Sequence, residues 1–277
     1  MNRCIPFFMV FVLIQNFCIS QSTNIQWGAL SRGSGALQAI MPVEDADFFG
    51  LRYSGNSILG SYYLVEYENM MRTQSSKIKM VAEQGIANLE KVLTINKEPV
   101  VFLSDKINGN LCIYLRKLDA SLRASGEIKE IACYRSNKLM SRPEFKVISS
   151  VNNSFVAVIW EIPGKKVNAD IYGFKVLDSS FNEVNSGEYQ IPFNGNMATI
   201  NQYHLSNTGD FFLNLTEHLK PNDRFFSRNY KNFKAMHVYQ INQDGLEEFS
   251  LNLNGRRISD MQMKSNNNKV FTFSGLY

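Results

Sequence analysis

Five times along the chain, a polar, turn-forming cluster gives way to a short run that is apolar on both faces. The runs start at Phe48-Phe49, Val100-Val101-Phe102-Leu103, Phe155-Val156-Ala157-Val158-Ile159-Trp160, Phe211-Phe212-Leu213 and Val270-Phe271, the fourth after Asn207-Thr208-Gly209-Asp210. Successive starts lie 52, 55, 56 and 59 residues apart. A self-similar period of that length marks a repeat architecture, in which one unit cannot bury its apolar faces alone. A strand apolar on both faces must be covered from both sides, whereas a sheet with one wet face alternates.

Between one run and the next the same events recur, so that each unit reads as four strands, a to d, with the apolar run as b. In the second unit Ser104 to Asn110 reads as a polar loop and Leu111 to Leu118 as strand c. Asp119-Ala120-Ser121 then turns the chain into a strand d over Glu127 to Cys133. The third unit predicts strands near 144–150, 154–161, 170–177 and 186–191, with Asp178-Ser179-Ser180 at its last turn. The fourth predicts 198–205, 210–217, 234–242 and 246–253, hinged on Asn242-Gln243-Asp244-Gly245, whose Asp-Gly pair is a strong hairpin signal. The first is less regular: Leu37 to Val43, Phe48 to Arg52, Tyr62 to Tyr67 and Ser76 to Val81. No segment carries a helical period. Four-stranded sheets stacked face to face around an axis form a β-propeller. The expectation is therefore an all-β propeller with units near 37–82, 89–134, 143–192, 198–254 and 258–277. The last unit stops at Tyr277, after strand b, which would leave an apolar edge bare. The chain thus reads as four blades and the start of a fifth, the N-terminal part of an unclosed ring.

The first twenty residues change the picture of where the protein works. Arg3 followed by the apolar stretch Ile5 to Ile14 and a small residue, Ser20, has the layout of a secretory signal peptide. A lipoprotein reading of Cys18 is weakened by bulky Phe17 beside it. No later stretch is long and apolar enough for a membrane span, leaving residues 21–277 as one propeller domain. The formal charge of +4 gives no reason to expect nucleic acid, and 20 Phe and 12 Tyr against 7 Pro suit a strand-rich chain. Two cysteines remain, Cys112 and Cys133, equidistant from a turn near Leu122-Arg123. That register would allow a disulfide in an oxidising compartment. Two small buried thiols are the simpler alternative.

Trp27-Gly28 near the start of the mature chain, Phe174-Lys175-Val176-Leu177-Asp178, and Arg257-Ile258-Ser259-Asp260 leading to Phe273-Ser274-Gly275-Leu276-Tyr277 complete a recognisable layout. It resembles a family of exported β-propeller-like proteins common in Bacteroidota, mostly uncharacterised. The resemblance spans the mature chain diffusely and implies a fold and an export route, not a reaction. Trp-Asp dipeptides, Gly-Gly pairs and sialidase-type aspartate boxes are all missing from the sequence.

The chemistry-bearing residues point to binding more than to catalysis. Gly-x-Ser-x-Gly, His-Glu-x-x-His and phosphate-binding glycine loops are absent from the sequence. His204, His218 and His237 fall on strands a, b and c of the fourth unit, where a structural role outweighs a metal site. No cofactor or metal is expected. Glu90, Glu144 and Asp260 stand near the starts of a strands, so a carbohydrate-active enzyme using paired inner-strand acids is the alternative. An outer-membrane barrel is disfavoured, since the b runs have no polar face for a wet lumen.

Charge is partly sorted by face, with Asp105, Asp170 and Asp223 breaking the basic set and Lys97 and Lys269 the acidic one. Loops b–c and d–a share one end of a propeller and hold Lys106, Arg135, Lys138, Arg142, Lys165, Lys166, Arg224, Arg228, Lys231, Lys234, Arg256 and Arg257. Loops a–b and c–d hold Glu44, Asp45, Asp47, Glu98, Asp119, Asp178, Glu183, Asp210, Asp244 and Glu247. The longest loop, Leu219 to Phe233, interleaves Arg224, Arg228 and Lys231 with Phe225, Phe226 and Tyr230, a pattern suited to an anionic partner. The expected function is an exported binding or assembly module of the periplasm or cell surface, taking acidic polysaccharide or another envelope protein.

Overall fold

The b runs form strands whose two faces enter different hydrophobic cores. In the computed structural model, Val101 and Leu103 pack with Leu51 and Leu64 of the preceding unit, while Val100 and Phe102 pack with Val156 and Val158 of the following one. The third run divides likewise: Val156, Val158 and Trp160 face backward, Ala157 and Ile159 forward onto Phe211 and Leu213. Full burial of one such side chain favours folding by roughly 1.5–3 kcal/mol. A unit without neighbours would leave both faces wet.

The structure describes residues 35–56, 60–82, 85–135, 145–162, 171–193, 197–220, 233–242, 244–249, 260–265 and 271–276. All belong to one unit, Gly33–Tyr277. The first sheet is β1 (Ala36–Glu44), β2 (Asp47–Ser54), β3 (Ser61–Glu68) and β4 (Met71–Lys77). The second is β5 (Asn88–Ile95), β6 (Glu98–Ile107), β7 (Asn110–Leu118) and β8 (Ala124–Arg135). The third is β9 (Phe145–Ser149), β10 (Phe155–Ile162), β11 (Ile171–Asp178) and β12 (Glu183–Gln190). The fourth is β13 (Ala198–Leu205), β14 (Phe211–His218), β15 (Phe233–Asn242) and β16 (Gly245–Phe249). A pair, β17 (Asp260–Ser265) and β18 (Phe271–Leu276), follows. Every sheet is an antiparallel meander in chain order. The first strands touch in succession, β1 with β5, β5 with β9, β9 with β13 and β13 with β17. Sheets joined along their first strands and stacked through their faces are the blades of a β-propeller.

One turn design recurs at the a–b and c–d end. Asp119 Oδ1 accepts hydrogen bonds from the backbone N–H groups of Ser121 and Arg123 at 2.8 and 2.9 Å. Asp178 Oδ1 does the same for Ser180 and Asn182, both at 2.8 Å. Ser206 Oγ repeats it for Thr208 and Asp210 at 3.2 and 2.9 Å. In each turn the fourth residue is left-handed: Leu122 (φ 56°), Phe181 (φ 65°) and Gly209 (φ 86°). This is a three-residue hairpin loop closed by a left-handed position, with the opening side chain taking the place of a backbone acceptor.

Two expectations on strand boundaries are corrected. Ser104 to Asn110 is not a loop, because β6 continues to Ile107 and turns on Asn108-Gly109 (φ 51° and 85°), a two-residue hairpin. The fourth strand of the first sheet is Met71–Lys77 rather than Ser76 to Val81, for the chain reverses at Asn69-Met70 (φ 48° and 63°). The signal-peptide segment, and the last residue of the chain, lie outside the described residues.

Candidate functional site: a polar groove between the third and fourth blades

At the a–b and c–d end, the turns of the third and fourth blades leave a groove of about 580 Å³ between them. Phe155 opens β10 on one side, with Val184 and Asn185 from the start of β12. Facing them are Thr208, Gly209 and Asp210 of the β13–β14 turn, and Gln240, Ile241, Asn242 and Asp244 around the β15–β16 turn. Gly209 fixes this wall twice over. Its left-handed φ suits glycine, and an added Cβ would sit 3.1 Å from the Phe155 ring, which leans on the turn from the neighbouring blade.

Hydrogen bonds within the lining hold the polar groups in place. Asp210 Oδ2 accepts from the Ser206 and Thr208 hydroxyls, and its Oδ1 from Gln240 Nε2 at 3.3 Å. Asn242 Oδ1 accepts from the Asp244 N–H at 2.9 Å. Asn185 Oδ1 is buried with no hydrogen-bond partner among the described residues. Such an oxygen keeps a desolvation cost that an incoming donor would relieve.

The acids that sequence reading assigned to this end are largely turn-builders. Besides Asp119, Asp178 and Asp210, Asp47 accepts from the Asn69 N–H at 2.8 Å, and Glu44 pairs with Lys97. Asp178 is held below the usual carboxylate range, first by the Asn182 N–H and then by the Asn182 side chain, the Ser180 N–H and nearby Lys129, against some desolvation. Glu183 is lowered by the Ser186 hydroxyl and by Lys175, whose ammonium lies 2.9 Å away. At the opposite end only Lys106, Arg135 and Lys234 of the basic set fall within the described residues. The proposed binding residues Arg224, Phe225, Phe226, Arg228, Tyr230 and Lys231 lie outside them, as do Lys138, Arg142, Lys165, Lys166, Arg256 and Arg257.

The histidines do not converge. His204 and His218 are buried, and His218 Nε2 sits 2.7 Å from Thr199 Oγ1. Burial alone pushes the His204 pKa down. His237 packs by Phe193 and Tyr239, beside the core shared with the third blade, and His204 by Phe212, in the core shared with Met263. The His237 ring spans two strands, with Glu248 2.6 Å from Nδ1 and Glu217 3.3 Å from Nε2. Lys234 closes the set at 2.6 Å from Glu217. Desolvation opposes the Glu217 charge, but the Lys234 and His237 hydrogen bonds outweigh it and lower its pKa. Tyr239 is pushed up to about 12 by burial and by the Glu248 charge.

Of the three inner-strand acids, Glu90 is the extra residue where the β5–β6 register shifts, and Ser104 Oγ donates to its carboxylate. Glu144 lies outside the described residues, and Asp260 opens β17. Cys112 and Cys133 are directly opposed across β7 and β8 and joined in a disulfide. The expectation of two buried free thiols fails here, because adjacent non-bonded strand positions bring the sulfurs together and leave Cys133 at the surface. Glu130 lies near enough to complete a metal-like trio, but both sulfurs are already bonded.

Sequence reading counted Asp210 and Asp244 as face charges and missed Phe155, Asn185, Gln240 and Asn242 as groove residues. Asn207-Thr208-Gly209-Asp210 was the available signal, since its left-handed glycine shapes the wall.

No protein-family model and no curated protein matches the chain. Among solved structures it is similar to a Pyrococcus horikoshii acylaminoacyl peptidase, with a TM-score of 0.48 and 10% identity over 91% of this chain. That match spans 37% of the peptidase. It is also similar to an ACO/RPE65 chimera (TM-score 0.39, 8% identity, 82% of this chain and 56% of that one). A third likeness is to an endo-1,4-beta-xylanase from Bacteroides thetaiotaomicron (TM-score 0.30, 11% identity, 82% of this chain and 76% of that one).

Proposed function

We propose that this chain is a non-enzymatic binding module, exported from the cytoplasm, that holds its ligand in the groove between the third and fourth blades. The groove carries the reading: its roughly 580 Å³ falls in the size range of small-ligand sites, about 300–1,000 Å³. Its lining combines apolar side chains with hydrogen-bonding groups on β12, on β15 and on the two turns of the fourth blade. Export is supported by the layout of the first twenty residues and by the Cys112–Cys133 disulfide, a bond that persists in oxidising compartments. A non-catalytic role is supported by the sequence, which carries no nucleophile-elbow, zinc-protease or phosphate-loop motif.

Hydrogen–deuterium exchange on the full chain tests the reading, with size-fractionated envelope polysaccharide and envelope protein as probes. Protection of 206–210 and 240–242 is the expected result. Protection confined to 219–233 would overturn the groove and favour an anionic partner on the basic loop instead.

A further inference from the structure

We infer that the groove is built for a neutral, hydroxyl-rich ligand, a sugar unit of an oligosaccharide; this rests on the groove being the binding site. Among the described residues the lining holds two carboxylates, Asp210 and Asp244, and neither lysine nor arginine. An acidic ligand entering there would meet like charge with no compensating cation among them. A cationic ligand would meet both charges, but Asp210 already accepts from Ser206, Thr208 and Gln240, which leaves it about one open lone-pair site for an ammonium N–H.

Hydroxyls match what remains. Asn185, Gln240 and Asn242 present planar amides, each with donors on one side and an acceptor on the other. A sugar hydroxyl donates once and accepts up to twice, so neighbouring hydroxyls can bridge such amides in either sense. The Asn185 oxygen is buried without a donor among the described residues, and a turn of its amide toward the groove would let a ligand hydroxyl satisfy it without bringing a charge that must be desolvated. Phe155, Val184 and Ile241 give the same groove an apolar wall against which the C–H face of a pyranose ring can lie. The Phe155 ring is braced by Gly209, so the wall is formed before any ligand arrives.

Calorimetric titration of the full chain tests this with three probes: a panel of neutral oligosaccharides, trigalacturonate and spermidine. A neutral oligosaccharide should bind, and Asn185→Ala and Gln240→Ala should each weaken it about tenfold, a loss of one well-made hydrogen bond at a desolvated site. Asp244→Asn should change it by less than about fivefold, since an amide oxygen still accepts from a hydroxyl. Each variant is checked for an unchanged melting temperature, and Asn185→Gln serves where Asn185→Ala fails to fold. Binding of trigalacturonate or spermidine alone, with loss of spermidine in Asp244→Asn, overturns the inference while the groove stands as the site. Silence across the neutral panel, with 206–210 still protected by an envelope fraction, has the same result. Silence with no protection overturns both.

Discussion

Gln202 on β13 grips the backbone of Met263 on β17 with both ends of its amide. Nε2 donates to the Met263 carbonyl at 3.2 Å and Oε1 accepts from the Met263 N–H at 2.8 Å. A side chain thus makes the pair of bonds that a neighbouring strand would make. It does so where β13 carries an extra residue, Asn201, beside it. The contact joins the first strands of successive blades and sits over a small core of Phe212, Met236, Val238 and Met263.

Gln202→Ala should therefore destabilise the chain by about 1–3 kcal/mol, because the peptide of buried Met263 loses both partners. Gln202→Glu keeps the acceptor but sets a charged oxygen against the Met263 carbonyl, so its cost at pH 7 should be at least that of Gln202→Ala. Denaturant unfolding measures the cost, and faster amide exchange at Met263 locates it. Equal stability of all three proteins would mean that the amide contributes nothing.

The Trp160 indole lies across Gly173, its partner on β11, so closely that a Cβ there would stand 2.0 Å from Cε2. Gly173→Ala must move the ring or the strand, at a cost typical of overpacking, about 1–3 kcal/mol. A red-shifted tryptophan emission should accompany the loss, since Trp160 leaves a buried site for a wetter one. A stable Gly173→Ala protein with unchanged emission would show that the ring has another resting place.

What could be read from the sequence follows from where burial acts on both sides of a strand. The b runs announced themselves because Val156 to Trp160 and Phe211 to Leu215 are enclosed from both faces. Four strands per unit and the propeller arrangement follow from those runs. The outer strands carried no such signal. Met71–Lys77 is exposed along most of its length, so polarity concealed it, and the Asn69-Met70 reversal lacks glycine. Asn108-Gly109 was a plain hairpin signal, outweighed by the charges of Asp105 and Lys106 beside it. The groove was harder still. Asn185 and Gln240 matter through their placement on adjoining blades, which no local pattern records.

Leu122 and Phe181 are buried apolar residues in left-handed backbone, a conformation that costs a side chain about 1–2 kcal/mol. Phe181 fills the core between the second and third blades, Lys117 lies 5.2 Å over its ring, and Lys129 donates to its carbonyl at 2.7 Å. Losing that ring should cost about 3–5 kcal/mol in Phe181→Ala. Phe181→Gly loses the same ring but relieves the backbone, so it should be more stable than Phe181→Ala by about 1 kcal/mol. Within a strand, at Phe174, the order should reverse. Thermal unfolding of the two pairs decides it, and the same order at both positions would remove strain from the account.

Acid should loosen the same turn. Asp178 and Glu217 have folded pKa values below their ordinary ones, the first mainly through the Asn182 N–H, the second through Lys234 and His237 against burial. A depressed carboxylate gives its full stabilisation above its unfolded pKa and loses it as pH falls through the folded value. The melting temperature should thus hold from neutrality to the ordinary carboxylate range and drop below it. Asp178→Asn keeps an oxygen for the Ser180 and Asn182 N–H groups but no charge. It should melt lower than the wild type at pH 7, and the gap should close once Asp178 is protonated. Asp178→Ala loses the acceptor as well and should stay below both at every pH. A gap between Asp178→Asn and the wild type that persists in acid would mean that shape rather than charge makes the turn.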